Sequence, residues 1–300
     1  MSRKSFRSMI FLVLIALAIL AITINVYDLK INFSGLFGKD KIDDYASKYI
    51  CVLDRENGQI EYEKNADSRA YPASLTKIMT AIVALEHIDD LSAVAPIDVA
   101  TYKEMVANNA SMAGFYGKER VTYRDLLYGT ILTSGGEACN SLAIHAAGSV
   151  ENFVKLMNDK AAELELKNSH FTSPEGLHHK EQYSSAYDLA KLLDYALENG
   201  HFKAIFTKGT FKTTATADHP QGIILESTVL SKLAGMPQGD TEIIGGKSGT
   251  TPEAGQCWAT LGVKNGREYI CIVMGTPLND ISNPDMKQMD DTLRLYDRID

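Results

Sequence analysis

The segment from Tyr71 to Thr80 constrains this chain most, because it combines a helix signal with two reactive side chains. After Pro72, apolar residues recur with the helical period of about 3.6 residues, which predicts a largely buried helix. Ser74 falls in the first turn of that helix, and Lys77 follows three residues later. Since residues three apart lie on one face of a helix, we expect the Lys77 amine next to the Ser74 hydroxyl.

This serine and lysine can act as a nucleophile and its base. A serine hydroxyl needs a neighbour that takes its proton, and a lysine does so once burial or a second cation lowers its pKa. The alternative is that Ser74 caps the helix and Lys77 is a solvated surface charge, since a bare S-x-x-K pattern uses two common residues. The catalytic interpretation therefore depends on the rest of the chain.

The amino-terminal residues predict export and membrane attachment. Residues 1–8 are rich in basic side chains, and residues 9–26 are almost wholly apolar. A run of about 18 apolar residues is at the short end of what spans a bilayer, and the preceding positive charges keep that end in the cytoplasm. We predict an uncleaved single-pass signal-anchor in the cell membrane. A cleaved signal peptide is the alternative, because Ala16, Ala18 and Ala21 leave a cleavage site open.

The remaining chain is predicted to form a polar linker at residues 27–45 and one extracytoplasmic α+β domain at residues 46–300. Strand patterns cover residues 47–54, 59–63, 242–248, 256–264 and 268–275, and helical patterns cover residues 122–166, 185–197 and 284–299. Because strands stand at both ends of a helical middle, we expect one antiparallel sheet built from both chain ends, with a helical subdomain.

Charge and cysteine usage narrow the function classes. The formal net charge is -8 at pH 7 and no basic run contains interleaved aromatic residues, which disfavours nucleic-acid binding. The cysteines show no C-x-x-C spacing and no paired histidines, so we predict no metal site and no other cofactor. Their apolar surroundings favour buried free thiols. They are Cys51, Cys139, Cys257 and Cys271.

Two further segments place polar groups at structural breaks. Ser134 stands between two helical patterns, where it either projects into a cleft or caps a connecting turn. Lys247, Ser248, Gly249 and Thr250 end a strand pattern. Glycine in a strand marks the close approach of a ligand or another backbone. This strand could therefore hold an extended peptide and its carboxylate, or Lys247 is a surface lysine near a turn.

The three segments together form a recognisable set. S-x-x-K, a serine turn and K-[ST]-G, spaced by about 60 and 110 residues, are the active-site motifs of penicillin-binding proteins and serine β-lactamases. The chain resembles the low-molecular-mass penicillin-binding proteins that are serine-type D-alanyl-D-alanine carboxypeptidases. The resemblance runs from about Tyr45 to Asp297 and includes residues 63–67, 171–177, 183–186 and 247–255.

The resemblance implies a serine β-lactamase/penicillin-binding transpeptidase-like fold and an acyl-enzyme mechanism. Ser74 would attack a peptidoglycan stem peptide that ends in D-Ala-D-Ala, with Lys77 as general base and Ser134 as proton relay. Backbone N–H groups of Ser74 and Thr250 would form the oxyanion hole. β-Lactams would be covalent inhibitors, because they mimic the D-Ala-D-Ala end.

The resemblance also implies a substrate-binding strand. Lys247, with the hydroxyls of Ser248 and Thr250 around Gly249, would bind the terminal carboxylate, and Lys247 would keep Lys77 neutral by repulsion. The family usually has asparagine where this chain has Gly136, and the missing amide is expected to weaken substrate orientation without abolishing catalysis.

Two alternatives remain open at this stage. A class A β-lactamase needs a glutamate in an E-x-x-L-N pattern, and residues 163–168 miss that pattern by one position. A weakly catalytic sensor of muropeptides or β-lactams is the second alternative, and Gly136 is the feature that supports it.

Overall fold

The computed structural model describes residues 44–281 and 283–299, and from Tyr45 onwards these residues form one compact unit. Among the helices of this part of the chain, none is both long and apolar enough to cross a bilayer. The predicted signal-anchor at residues 9–26 and nearly all of the predicted linker lie outside the described residues.

The described chain contains nine strands and nine α-helices. The strands are β1 (Tyr49–Asp54), β2 (Ile60–Lys64), β3 (Val94–Pro96), β4 (Arg120–Thr122), β5 (Thr210–Lys212), β6 (Ile224–Glu226), β7 (Thr241–Thr251), β8 (Gly255–Lys264) and β9 (Arg267–Thr276). The helices are α1 (Lys77–His87), α2 (Val99–Ala107), α3 (Tyr123–Ile131), α4 (Gly136–Ala147), α5 (Val150–Glu163), α6 (Ala186–Glu198), α7 (Gly200–Phe206), α8 (Leu230–Leu233) and α9 (Lys287–Asp297). A 3-10 turn, Ala73–Thr76, precedes α1.

The main sheet is antiparallel, with five strands in the order β2-β1-β9-β8-β7. Ile50 in β1 pairs with Val273 in β9, so the two ends of the domain sequence meet in the middle of the sheet. This arrangement confirms the predicted α+β class and the sheet built from both chain ends. Strand β7 is at one edge, so one side of its backbone has no partner strand within the described chain.

Helix α1 lies in the helical part of the core. Eight of its eleven residues are buried, from Lys77 to Ala84, and it packs against α3, α4, α5 and α6. Such complete burial explains why the apolar pattern in the sequence continues around most of this helix. The enclosing helices hold α1 in place, and the 3-10 turn carries Ser74 to the boundary between the helices and the sheet.

Several short elements were not predicted. Strands β3 to β6 have three residues each, too few to show a two-residue alternation, and they pair into two small two-stranded sheets. Helix α2 begins at a cap, where the Asp98 side chain accepts a hydrogen bond from the Thr101 N–H. Helix α7 begins in the same way at Asn199. The predicted long helices and main-sheet strands are confirmed, and β7 extends three residues beyond its predicted end.

The cysteines agree with their prediction as buried free thiols. Three are in strands of the main sheet, and Cys139 is in α4. Burial is the first cause that raises the pKa of each thiol, to about 12 for Cys51, Cys139 and Cys257. These side chains therefore behave as small apolar residues of the core.

Candidate active site

The predicted nucleophile and base are neighbours. The half-buried Ser74 lies in the 3-10 turn and Lys77 begins α1, so that the Lys77 Nζ donates a hydrogen bond to the Ser74 Oγ at 3.1 Å. Lys77 is only 3% exposed, which excludes the solvated surface charge considered above. Ala73, just before the nucleophile, has a φ of 47°, a costly left-handed conformation for a residue other than glycine.

A loop from Phe171 to Gln182 supplies a second partner for the base. The Lys77 Nζ also donates to the Glu175 carbonyl oxygen, at 2.6 Å. Gly176 follows with a φ of 81°, and a Cβ there would be 2.2 Å from the Ala73 carbonyl oxygen, so only glycine lets the loop approach this closely. Sequence reasoning did not find the Glu175 carbonyl. The glycine in segment 171–177 was the available signal.

Ser134 and Lys247 form a second buried pair. Ser134 lies between α3 and α4 with a φ of 62°, and its Oγ accepts a hydrogen bond from the Lys247 Nζ at 2.9 Å. Lys247 is fully buried and also donates to the Ser248 carbonyl oxygen at 2.6 Å. Within the described residues, the structure thus bonds Ser134 to Lys247 and not to Lys77. Because Ser134 accepts here, its own O–H is free to donate elsewhere.

Burial dominates the electrostatics of the two lysines. It lowers the pKa of Lys77, while the negative charges of nearby groups, including Glu175 and Glu137, act in the opposite direction. Burial also lowers the pKa of Lys247 well below its usual value, and repulsion from Lys77 lowers it further. The repulsion expected from the sequence therefore appears at Lys247, and water-poor surroundings are the main reason that the Lys77 amine can be neutral.

Edge strand β7 contacts the nucleophile turn through Gly249. A Cβ at Gly249 would lie 3.0 Å from both the Pro72 carbonyl oxygen and the Ser74 N, so the absence of a side chain allows this contact. The exposed Thr250 follows, and the Ser248 hydroxyl bonds the Thr228 hydroxyl at 2.7 Å. Sequence reasoning missed Thr228, whose N–H also donates to Leu132 next to the Ser134 turn.

Backbone conformation does not explain why residue 136 is a glycine, because the φ of Gly136 is not left-handed. Its N–H donates to the Ser111 carbonyl oxygen at 2.7 Å, and a Cβ added there would lie 2.8 Å from the Met105 Sδ. Met105 thus occupies the space where the side chain of an asparagine would begin. Asn140, one helical turn later, is 3% exposed, and its Oδ1 has no hydrogen-bond partner among the described residues.

The neighbouring Glu137 organises the loop that carries these contacts. Its Oε1 accepts hydrogen bonds from the N–H groups of Ala113, Gly114 and Phe115, at 2.7 to 3.3 Å. Burial raises the pKa of Glu137, and the three N–H donors partly offset that change. One carboxyl group therefore fixes residues 113–115, which directly follow the segment whose Ser111 carbonyl oxygen contacts Gly136.

The site contains the parts of an acyl-transfer centre. Ser74, Lys77, Ser134, Lys247 and the end of β7 meet in one place, although Lys247 is more than 170 residues from Ser74 in sequence. Within residues 44–281 and 283–299, no group of three His, Cys, Asp or Glu side chains could hold a metal ion. The chemistry that these groups support is attack by a hydroxyl on a carbonyl beside a bound anion.

The glutamate of the β-lactamase alternative lies in a different environment. Glu163 ends α5, is 60% exposed, and forms an ion pair with Lys160 at 2.7 Å. The group that contacts the Lys77 amine is instead the Glu175 carbonyl of the 171–182 loop. The near-match at residues 163–168 therefore has a structural explanation as the end of a helix.

The comparisons of this chain with a family model and with individual relatives agree on one family. The model of the D-alanyl-D-alanine carboxypeptidase family, peptidase family S11, matches residues 38–277. The D-alanyl-D-alanine carboxypeptidase of Streptomyces sp. strain K15 is 33% identical over 240 residues, covering 78% of this chain and 80% of the relative. DacF of Bacillus subtilis is 31% identical over 82% of this chain. This chain spans only 61% of the length of DacF.

Solved structures agree with the sequence comparison. The crystal structure of the Streptomyces K15 DD-transpeptidase superposes with a TM-score of 0.74 at 30% identity, covering 84% of this chain and 96% of that one. A D-alanyl-D-alanine carboxypeptidase from Mycobacterium tuberculosis also gives a TM-score of 0.74, at 27% identity, covering 87% of this chain. These similarities confirm the penicillin-binding, DD-peptidase type of fold predicted from the motifs.

Proposed function

Because this chain belongs to the D-alanyl-D-alanine carboxypeptidase family, we propose that it removes the terminal D-alanine from peptidoglycan stem pentapeptides through an acyl-enzyme. The observation that carries the proposal is the buried Lys77 amine, 3.1 Å from the Ser74 hydroxyl and beside the edge strand with Lys247. β-Lactams mimic the D-Ala-D-Ala end of the substrate and would acylate the same serine. We therefore expect penicillin to bind covalently.

In the acylation step, the neutral Lys77 amine takes the Ser74 proton as the Ser74 Oγ bonds to the carbonyl carbon of the penultimate D-alanine. The N–H of Ser74 opens a 3-10 turn, where the first N–H groups lack acceptors within the turn. With the Thr250 N–H of the edge strand, it binds the developing oxyanion, and loss of one such donor typically costs about 3 kcal/mol in the barrier.

The bond from the carbonyl carbon to the leaving nitrogen then breaks, and that nitrogen needs a proton. Ser134 accepts a hydrogen bond from Lys247, so its own hydroxyl proton is free to pass to the leaving amine and be replaced from Lys77. Terminal D-alanine departs as the free amino acid. Water, deprotonated by Lys77, then attacks the acyl carbon. The bond from that carbon to the Ser74 Oγ breaks, and Lys77 returns the proton to the Ser74 hydroxyl.

The substrate carboxylate also favours the active protonation state. The amines of Lys77 and Lys247 are both buried, and two positive charges there would repel each other. The pair therefore favours a state in which only one of the two amines is protonated to an ammonium group. A carboxylate bound beside Lys247, Ser248 and Thr250 draws that proton to Lys247. Lys77 is then neutral when the peptide is in place, which is the state that a general base requires.

The test is to digest purified pentapeptide muropeptides and to weigh the products, together with labelling by a fluorescent penicillin. We expect a loss of one D-alanine per peptide and a label that maps to Ser74. Both disappear in a Ser74→Ala variant that melts like the parent protein. Undiminished labelling of that variant would refute the assignment. Labelling without any D-alanine release would favour the weakly catalytic sensor.

Transfer of the acyl group to an amine is a second candidate function. This second function is favoured by the similarity to a structure described as a DD-transpeptidase. The matched region covers 96% of that chain. Adding glycine or a muropeptide amine to the digestion separates the two outcomes. Transfer yields a peptide that ends in glycine or a cross-linked product, respectively, whereas hydrolysis yields a shortened peptide.

We further propose that the domain acts outside the cytoplasm and is held at the cell membrane by residues 9–26. The proposal rests on the basic residues that precede an apolar run of bilayer-spanning length. Stem peptides lie on that side of the membrane, so this orientation would bring Ser74 to its substrate.

A further inference from the structure

Thr228 connects the Ser134 turn to the edge strand at the Lys247 end of the site. Its N–H donates to the carbonyl oxygen of Leu132, two residues before Ser134, at 3.0 Å. Its hydroxyl bonds the Ser248 hydroxyl of β7 at 2.7 Å. Neither the acylation step nor the proton relay uses the Thr228 hydroxyl, so its contact with Ser248 needs another explanation.

The backbone around Thr228 is firmly held. The N–H of the preceding Ser227 donates to the Gly209 carbonyl oxygen at 2.8 Å, and the Ser227 hydroxyl accepts from the Leu230 N–H at 3.2 Å. Ser227 is fully buried, whereas Thr228 is half-buried at the site. The Thr228 hydroxyl therefore meets Ser248 from an anchored backbone.

A terminal carboxylate needs more hydrogen-bond donors than Lys247 can supply. An ammonium group has three N–H donors. Two of those on Lys247 are used by the Ser134 hydroxyl and the Ser248 carbonyl oxygen, at 2.9 and 2.6 Å. One donor remains for a carboxylate, whose two oxygens offer about four acceptor positions. The hydroxyls of Ser248 and Thr250, two residues apart on one face of β7, are the additional donors.

Binding of a carboxylate gives the Thr228–Ser248 bond a direction. Without substrate, either hydroxyl can be the donor. A hydroxyl has one proton, so Ser248 can only accept from Thr228 once it donates that proton to a carboxylate. The two bonds then form a chain in which each polarises the other. Thr228 thereby orients the Ser248 hydroxyl and makes it a stronger donor to an anion.

We propose that Thr228 is a positioning residue that sets the preference of the site for a free terminal carboxylate, acting through the Ser248 hydroxyl. The proposal rests on the proposed carboxypeptidase function and adds a determinant of substrate choice to it. Hydrogen bonds to an ionised acceptor are stronger than those to a neutral ester or amide, so a neutral end group gains less from the chain.

The test compares benzylpenicillin with its methyl ester, which has the same reactive β-lactam ring but no carboxylate. The second-order acylation rate of the full-length protein is measured with each, and the ratio of free acid to ester reports recognition of the carboxylate. We expect the parent protein to prefer the free acid. Thr228→Val removes the hydroxyl and should lower the ratio by about threefold to tenfold, as for one hydrogen bond. Thr228→Ser retains the hydroxyl and should keep the parent ratio within about twofold.

A double-mutant cycle tests whether Thr228 acts through Ser248. Ser248→Ala should lower the ratio at least as much as Thr228→Val, and adding Thr228→Val to it should change the ratio by less than about twofold. Thr292→Val is the matched control, because the Thr292 hydroxyl donates to the Gln288 carbonyl oxygen within α9, at 2.7 Å. This control should keep the parent ratio.

Three results would overturn the inference: equal acylation of the parent by acid and ester, an equal fall of both rates in Thr228→Val, or independent losses in the double variant. An equal fall would mean that Thr228 only supports the shape of the cleft. Release of D-alanine from a pentapeptide muropeptide is measured in parallel. A parent protein that neither releases D-alanine nor is acylated would refute the proposed function, whereas normal release with an unchanged ratio in Thr228→Val would refute this inference alone.

Discussion

At the residue scale, the site is built around two lysine amines that the fold buries almost completely. Lys77 is 3% exposed and Lys247 is fully buried, and each donates to one serine hydroxyl and one backbone carbonyl. Removing an ammonium group from water is costly, so both residues reduce the stability of the fold in exchange for reactivity. That cost depends on pH in a direction that can be tested.

Lys247→Met is expected to raise the melting temperature while abolishing activity. The folded-state pKa of Lys247 lies well below its usual value of 10.5, so the unfolded chain binds the proton more tightly. The resulting destabilisation is small near pH 10 and grows as the pH falls towards the folded-state pKa. The variant should therefore gain more stability at pH 7 than at pH 10, and its penicillin acylation should fall by about a hundredfold or more.

Thermal melting at the two pH values and the second-order acylation rate check this expectation. Lys155→Met serves as the control, because Lys155 is exposed on α5 and should change neither quantity appreciably. If Lys247→Met melts below the parent at pH 7, the hydrogen bonds of the amine outweigh its burial, and the electrostatic account is wrong.

The sequence predicted the reactive side chains but not their backbone partners. Ser74 and Lys77 could be paired from their spacing alone, because a helix start fixes that distance. The Glu175 carbonyl and the Thr228 hydroxyl carry no comparable signal, since they come from loops whose path is set by distant contacts. Gly136 shows the same limit, because its neighbour Met105 comes from α2, a helix that the periodicity did not reveal.

At the scale of elements, the decisive contact is between edge strand β7 and the 3-10 turn. The sequence predicted strands β1, β2 and β7 to β9 because each is long enough to show a pattern, and it predicted that glycine near Lys247 permits a close approach. The approaching group is the Ser74 turn itself. Sequence patterns of separate elements could not identify that partner, because the contact is not local.

Gly249→Ala is expected to separate β7 from the nucleophile turn. The new Cβ would meet the Pro72 carbonyl oxygen and the Ser74 N at 3.0 Å, and both are backbone atoms that cannot rotate away. A shift of the turn misplaces Ser74 against the oxyanion donors, so acylation should fall on the order of tenfold to a hundredfold. The acylation rate and the melting temperature of the variant measure this effect.

Gly200→Ala, at the start of helix α7, is the control for a glycine-to-alanine change, because a Cβ at Gly200 meets nothing within 4 Å and its φ is not left-handed. It should acylate at the parent rate. Equal acylation by Gly249→Ala would mean that β7 and the turn move together without loss of alignment.

At the scale of the whole molecule, both ends of the folded sequence meet in one sheet, which brings Ser74 and Lys247 together across the chain. The order of strand and helix patterns was sufficient to predict this architecture. Cavities were beyond prediction, because their walls combine residues such as Glu104 and Glu175 from elements with no sequence relation. The residues just before β1 are held against α9, because the Ser47 N–H and hydroxyl both donate hydrogen bonds to the buried Asp291 carboxylate.

Residues 9–26 should keep the mature protein attached to membranes after washing in high salt. An apolar run of about 18 residues partitions into the bilayer independently of ionic strength, whereas electrostatic attachment is screened by salt. The measurement is the distribution of the protein between membrane pellet and supernatant, with sequencing of its amino terminus. A variant with Lys and Asp in place of Leu14 and Ala18 should move to the soluble fraction or fail to be exported. A soluble mature form that begins near Asn25 would instead establish that the run is a cleaved signal peptide.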